Sequence, residues 1–343
     1  MLDPFPAVPQ WASKATVPLA DYFALPTLPL HIHEVIGAAL FYYFVQTRVS
    51  PWLSPKLSPK HYPNLNPRTK LNWDVHVVSL VQSVLVCAIA VYVMLYDDER
   101  RNMNTEERVW GYTGGTGLVE AMGLGYFVYD LWITVQNIGM FGIGMLFHAI
   151  SALTVFSFGF RPFVNYYAPD FILYELSSPF LNIHWFCDKL DMTGSTVQLI
   201  NGIFLITTFI SCRLVWGTYA SYRVFRDVIA AYRGTIPATE GASSLELMRY
   251  AGKKEAPLWL CFTYAASNVT LNSLNWYWIN KMIATIRKRF DPPFGTRKPE
   301  EKPKADYDVA RGVYADGTKT VEVDATLRRR PTVQRNLTEL PVA

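Results

Sequence analysis

Acidic, imidazole and guanidinium side chains interrupt the long apolar stretches of this 343-residue sequence. Asp130, His148, Glu175 and Arg213 each fall within or at the edge of such a stretch. A carboxylate beside an imidazole fixes the tautomer of the ring and allows it to act as a general base. The chemistry that these residue types favour is proton transfer, with His148 as the base and Asp130, or alternatively Glu175, holding it.

Helical spacing brings further polar side chains beside these groups. Glu175, Ser178 and Asn182 are three and four residues apart and share one helix face, as do His148 and Ser151. We expect a bundle to turn these faces away from lipid and to form a polar chamber. The alternative is that the groups only fix helix packing through hydrogen bonds. The candidate cavity residues are Asp130, His148, Ser151, Glu175, Ser178, Asn182, Asn201 and Arg213.

Composition predicts the elements that must position these residues. Half of the residues are hydrophobic and 17% are charged, whereas soluble domains carry about 25% charged residues. A bilayer core needs about 20 mostly apolar residues per helix. The sequence therefore predicts an all-α, multi-pass transmembrane bundle of about seven spans. The predicted spans are residues 30–49, 76–96, 117–136, 138–160, 166–187, 197–217 and 257–280.

Polar segments divide the predicted spans. The prolines and lysines of residues 51–74 predict a loop, and residues 97–116 predict a second polar connection. Glycines near residue 139 favour close helix packing there. From about residue 288 the chain is rich in Pro, Lys, Glu and Asp, which is typical of disorder. We therefore divide the chain into residues 1–70 with the first span, a membrane domain at 71–285 and a polar disordered tail at 286–343.

The same composition argues against several functional classes. The net charge of +4 is modest and the basic residues form no stripe with exposed aromatics, so nucleic acid is not an expected partner. Histidines outside the apolar centre, namely His31, His33, His61 and His76, have no metal-ligand spacing. We expect no metal, no cofactor and no soluble-enzyme motif.

The polar residues also stand in a familiar order. Gly125–Asp130, His148–Leu153, Glu175–Asn182 with Trp185 after it, and Asn201 with Arg213 downstream together resemble the TLC domain. This domain is shared by translocon-associated, ceramide-synthase-like and related lipid-handling proteins. The resemblance covers about residues 70–285 and is strongest to small TLC domain-containing proteins.

The resemblance implies a six-helix bundle preceded by one span, in the endoplasmic reticulum, with an outer N-terminus and a cytosolic tail. The loop charges alone do not decide this orientation. Ceramide synthases carry paired histidines where this chain has His148 followed by Ala149. We therefore expect binding or sensing of a membrane lipid or fatty acyl chain, contributing to lipid homeostasis, ahead of catalysis.

Two alternatives stay open at this point. One is a ceramide-synthase-like acyltransferase that uses fatty acyl-CoA, with His148 as general base. The other is a trafficking or translocon accessory protein that depends on its tail. The oligomeric state does not follow from the sequence.

Overall fold

The structure, a computed structural model, describes residues 1–236, 243–252, 254 and 256–290, with side chains as far as residue 286. The described residues form helices and turns without β-strands. The predicted tail lies outside them from residue 291 onward. The helices are α1 Gln10–Phe23, α2 Leu28–Leu57, α3 Pro67–Tyr96, α4 Asp98–Arg101, α5 Thr105–Trp110, α6 Gly114–Gln136, α7 Ile138–Phe141, α8 Ile143–Phe158, α9 Ala168–Ile172, α10 Ser178–Lys189, α11 Thr196–Arg233 and α12 Leu258–Phe290.

Four helical stretches among the described residues are long and apolar enough to cross a membrane. They are Leu28–Leu57, Pro67–Tyr96, Thr105–Gln136 and Thr196–Arg233. Helix α8 is apolar but shorter, and α12 is long but carries several asparagines. The prediction of an all-α, multi-pass membrane bundle is confirmed, whereas the number of seven spans stays a prediction.

The predicted loop at residues 51–74 is largely helical, so that prediction was wrong in its extent. Helix α2 widens into a π-helical turn at Val45–Val49 and continues over Pro51 to Leu57. A proline is tolerated just after such a turn because the regular hydrogen-bond ladder is already interrupted. Helix α3 then begins at Pro67, where a proline needs no N–H partner.

The fifth predicted span, residues 166–187, is broken rather than one continuous α-helix. Turns of 3₁₀-helix at Asn165–Tyr167 and Leu173–Ser177 flank the short helix α9. Proline lies in the first turn of both α9 and α10, a position that starts a helix instead of extending one. The break leaves backbone carbonyl groups available to side chains. The backbone carbonyl oxygen of Asp170, for example, accepts a hydrogen bond from the indole Nε1 of Trp216 at 3.0 Å.

The polar connection at residues 97–116 is a folded part of the molecule. Arg100 pairs with Asp170 at 2.7 Å, and Arg108 pairs with Asp227 at 2.7 Å. Both aspartates are buried. Because an unpaired charge is costly in such a place, these two ion pairs hold the connection against the broken fifth span and against α11.

Helix α6 lies at the centre and packs against α2, α3 and α8. Glycine allows a close approach of two helices at Gly125, where an added Cβ would lie 2.6 Å from the Cβ of Ala38 and 2.6 Å from the carbonyl oxygen of Val35. The glycines near residue 139 do not play this part, since a Cβ on Gly139 would meet no atom within 4 Å. The tight helix contact therefore lies between α2 and α6.

We predict that Gly125→Ala destabilises the bundle by about 1–3 kcal/mol, because the backbone of α2 must move to admit the methyl group. The matched control is Gly37→Ala on α2, where a Cβ meets nothing within 4 Å and the higher helix propensity of alanine acts alone. Thermal unfolding of both variants in detergent checks this. Equal stability of the two would show that the helices do not pack as described.

Candidate functional site

A buried arginine forms the polar centre of the bundle. Arg213 lies in a π-helical turn of α11 at Ile210–Trp216 and is 1% exposed. Its Nε donates to the carbonyl oxygen of Tyr174 at 2.9 Å and to the Oγ of Ser177 at 3.1 Å. Both acceptors come from the 3₁₀ turn that breaks the fifth span. That break therefore supplies acceptors that a regular helix would have kept for itself.

The other end of the guanidinium contacts two further elements. Its Nη1 donates to the Oδ1 of Asn275 on α12 at 3.2 Å, and its Nη2 donates to the Oγ of Ser178 at 3.4 Å. The carboxylate of Glu175 lies 3.7 Å from Nη2 and accepts a hydrogen bond from Ser178 at 2.9 Å. Arg213 thus joins α11, α12 and the broken segment.

The aromatic ring of Trp278 lies near both His148 and this polar centre. The indole of Trp278 lies 5.6 Å from the imidazole of His148 and 5.6 Å from the guanidinium of Arg213. His148 is 6% exposed, and its Nδ1 has no hydrogen-bond partner in the structure. An unpartnered buried ring nitrogen is costly, and a hydrogen bond with a ligand would remove that cost.

A cavity of ≈ 90 Å³ borders the polar centre. Most of the lining is apolar. The polar groups on the lining are Glu120, His148, Tyr167, Tyr174, Glu175, Tyr264 and Asn268. The site therefore combines a mostly apolar lining with an imidazole and two carboxyl groups.

Glu120 is the second buried acid on the cavity wall. It lies on α6, is 3% exposed and accepts a hydrogen bond from the amide of Asn165. A Cβ on Gly159 would overlap the carboxyl group of Glu120. Glycine at 159 is therefore what allows this acid to sit inside the bundle.

The structure brings part of the predicted set together. Glu175, Ser178 and Arg213 are in contact, and His148 shares the cavity with Glu175. Asp130 is 4% exposed and lies off the cavity lining, and its Oδ2 has no hydrogen-bond partner. The expected hydrogen bond between Asp130 and His148 is therefore formed neither by Oδ2 of Asp130 nor by Nδ1 of His148.

The remaining predicted residues have separate places. Ser151 is buried one turn beyond His148 and lies off the cavity lining. Asn201 donates to the carbonyl oxygen of Phe180 at 2.8 Å, which holds α11 against α10. Asn182 faces α3 and forms hydrogen bonds with His76 and Ser79. These asparagines therefore pack helices together in this structure.

His76 is a buried residue that the sequence reasoning placed at a span edge. Helix α3 begins nine residues earlier than that span, at Pro67, so the ring lies inside the bundle. Its Nδ1 is 2.7 Å from the Oδ1 of Asn182, and the ring stacks on Trp185 with centroids 4.1 Å apart. Asn182 also donates to Ser79 at 3.0 Å. The spacing of His76 and Ser79 on one helix face is the signal that could have found this contact.

Sequence reasoning also missed Glu120, Asn275 and Trp278. Glu120 had a clear signal, since it is an acid inside the predicted third span. Asn268, Asn272 and Asn275 are four and three residues apart, which places them on one face of α12. That polar face is the signal that could have indicated a partner inside the bundle.

These features define a class, the helical multi-pass membrane proteins that keep charged side chains buried at their centre. Within that class the chain belongs to the TLC domain family, whose family model matches residues 72–284.

Several relatives share most of this length. The chain is 40% identical to an uncharacterized TLC domain-containing protein of Schizosaccharomyces pombe, over 79% of this chain and 84% of the relative. It is 28% identical to topoisomerase I damage affected protein 4 of Saccharomyces cerevisiae, over 76% and 86%. It is 30% identical to human TLC domain-containing protein 4, over 51% and 64%.

We predict that Arg213→Met destabilises the folded state by about 3–5 kcal/mol, because Glu175 is left as a buried carboxylate without its partner. The matched control on the same helix is Arg226→Met. Arg226 is 54% exposed and pairs with Asp227, so its loss should cost at most about 1 kcal/mol. Unfolding in detergent measures both.

Adding Glu175→Gln to Arg213→Met should recover part of the lost stability, since it removes the unpaired charge. A double variant that is less stable than Arg213→Met alone would contradict the pairing of Arg213 with Glu175.

Proposed function

We propose that this protein binds or senses a membrane lipid through an acyl chain held in the cavity between α6, α8, α11 and α12, and that it contributes to membrane lipid homeostasis. The observation that carries the proposal is a cavity with mostly apolar walls that also carry His148 and Glu175. An acyl chain needs apolar walls, and the polar part of a lipid needs hydrogen-bonding partners at one end.

The cavity walls suit a hydrocarbon chain. They include Phe127, Phe156 and Phe171, which offer close apolar contact.

His148 and Glu175 are the groups proposed to meet the polar part of the lipid. Both line the cavity, and the unpartnered Nδ1 of His148 is available to an ester, amide or hydroxyl group. Arg213 acts indirectly, because it pairs with Glu175 and holds this side chain in place. We place the protein in the endoplasmic reticulum with a cytosolic tail, as its resemblance implies.

A second candidate is acyl transfer from fatty acyl-CoA to a long-chain amine or alcohol, with His148 as general base. The unpartnered nitrogen of His148 on the cavity wall favours it. An orienting acid would also be required. Glu175 shares the cavity with His148, whereas Asp130 does not, so Glu175 is the better candidate for that role.

The lipid proposal predicts that Cys261→Trp reduces co-purified lipid. Cys261 lines the cavity, and an indole there would displace about two methylene groups of a bound chain, which corresponds to about tenfold weaker binding. The matched control is Phe262→Trp at the next position, which is 71% exposed. Native mass spectrometry of protein released from detergent measures the lipid on each variant.

Lipid that remains on Cys261→Trp at the wild-type level would contradict binding in this cavity. Protein purified from several membranes without any bound lipid would do the same.

The second candidate is tested with His148→Ala. We expect this variant to change which lipids co-purify, because Nδ1 is lost from the cavity wall, while His61→Ala, in a turn that does not line the cavity, changes nothing. Turnover of fatty acyl-CoA with long-chain amines or alcohols in liposomes is measured in parallel. Product formed by the wild type and lost in His148→Ala would establish acyl transfer, and the absence of product with every acceptor would remove it.

A further inference from the structure

A second group of ionisable side chains lies away from the cavity, where the N-terminal segment meets the start of α2. The Nδ1 of His31 lies 2.7 Å from the Oε2 of Glu34 and 3.3 Å from the Oδ2 of Asp3. These ligand-type atoms all lie within 4.8 Å of one another. Sequence spacing could not reveal this group, because Asp3 comes from a separate segment of the chain.

We propose that Asp3, His31 and Glu34 form a binding site for a divalent transition-metal ion such as Zn²⁺. Zn²⁺ binds both imidazole nitrogen and carboxylate oxygen, and catalytic zinc sites have three protein ligands with a further position open. Ligand atoms bound to one zinc ion lie roughly 3.3 Å apart, so the side chains need to move only slightly. An imidazole ligand disfavours Mg²⁺ and Ca²⁺, which prefer oxygen.

The charge of the cluster supports a dication. Glu34 is 3% exposed, and ion-pair contacts to Asp3 and Glu34 in the described residues come from His31 and His33 alone. Two carboxylates beside neutral imidazoles carry two negative charges, which is costly because Glu34 is buried. Two carboxylates, a neutral imidazole and a divalent ion add up to zero.

An unpartnered oxygen points to the same conclusion. The Oε1 of Glu34 has no hydrogen-bond partner, although the side chain is buried. Buried carboxylate oxygens are nearly always satisfied. A metal ion bound by both oxygens, or by Oε1 after a small rotation, satisfies this atom.

Tyr112 positions the ring of His31 through a hydrogen bond. Its Nε2 lies 2.5 Å from the hydroxyl oxygen of Tyr112. A metal on Nδ1 requires the ring proton on Nε2, where it donates to that hydroxyl, as outer partners of metal-bound histidines do. A Cβ on Gly117 would collide with the imidazole, so the glycine leaves the ring its space.

A cavity of ≈ 340 Å³ borders Asp3, His31 and Tyr112. Arg249 also lines this cavity and stacks its guanidinium over Tyr112 at 5.8 Å. Water or a small anionic molecule in this cavity would therefore have access to a metal ion held by Asp3 and His31.

The test uses the full chain in detergent, with any affinity tag removed, stripped with a chelator and reloaded with Zn²⁺ alone. We expect about one zinc ion per chain by elemental analysis, a higher unfolding temperature with Zn²⁺, and no such shift with Mg²⁺. Asp3→Asn should weaken zinc binding by about tenfold or more. This side chain is 24% exposed, so the variant is expected to fold.

Tyr112→Phe keeps the three ligands and should weaken zinc binding less than Asp3→Asn. His61→Gln, a histidine outside the cluster, should bind zinc like the wild type. The proposal is overturned if the wild type retains no zinc, or if His61→Gln loses as much zinc as Asp3→Asn.

Discussion

The structure depends on the burial of one permanent charge. The guanidinium of Arg213 does not lose its proton under any ordinary condition, so the protein must surround it with acceptors or leave it unsolvated. The broken fifth span provides a carbonyl and a hydroxyl group, Glu175 provides the countercharge and Asn275 provides an amide oxygen. Three elements converge because each supplies part of this shell.

The polar centre also determines what kind of ligand the neighbouring cavity suits. A wholly apolar cavity would hold a chain without any preference for its end. Here His148 and Glu175 stand at the wall, backed by Arg213 and Trp278, and Glu120 is a second buried acid on the same lining. A mostly apolar cavity with such polar groups matches an amphipathic molecule better than a pure hydrocarbon, and this is the physical basis of the proposed lipid role.

Much of the helical framework could be predicted from the sequence, because a bilayer demands long apolar helices and marks each buried charge as an exception. Glu175, Ser178 and Arg213 were found in this way. The relation of Asp130 to His148 could not be found, since spacing fixes directions within one helix and leaves the rotation between helices open. His31 and Asp3 were missed for a similar reason, because their contact exists only after the N-terminal segment has packed on α2. The break at Leu173–Ser177 could not be found either, because the contact of its Tyr174 carbonyl oxygen with Arg213 joins distant segments of the chain.

The π-helical turns of α2 and α11 have a consequence for how such a chain can vary. A π turn holds one residue more than an α turn over the same rise, so it behaves as a single-residue insertion that the rest of the helix absorbs. Deleting one residue within Ile210–Trp216 would return this stretch to the regular repeat and leave the flanking faces in register. The same deletion elsewhere in α11 would rotate every following side chain by about 100°. Length changes in this helix are therefore tolerated at the segment that presents Arg213, where they alter the polar centre while sparing the scaffold.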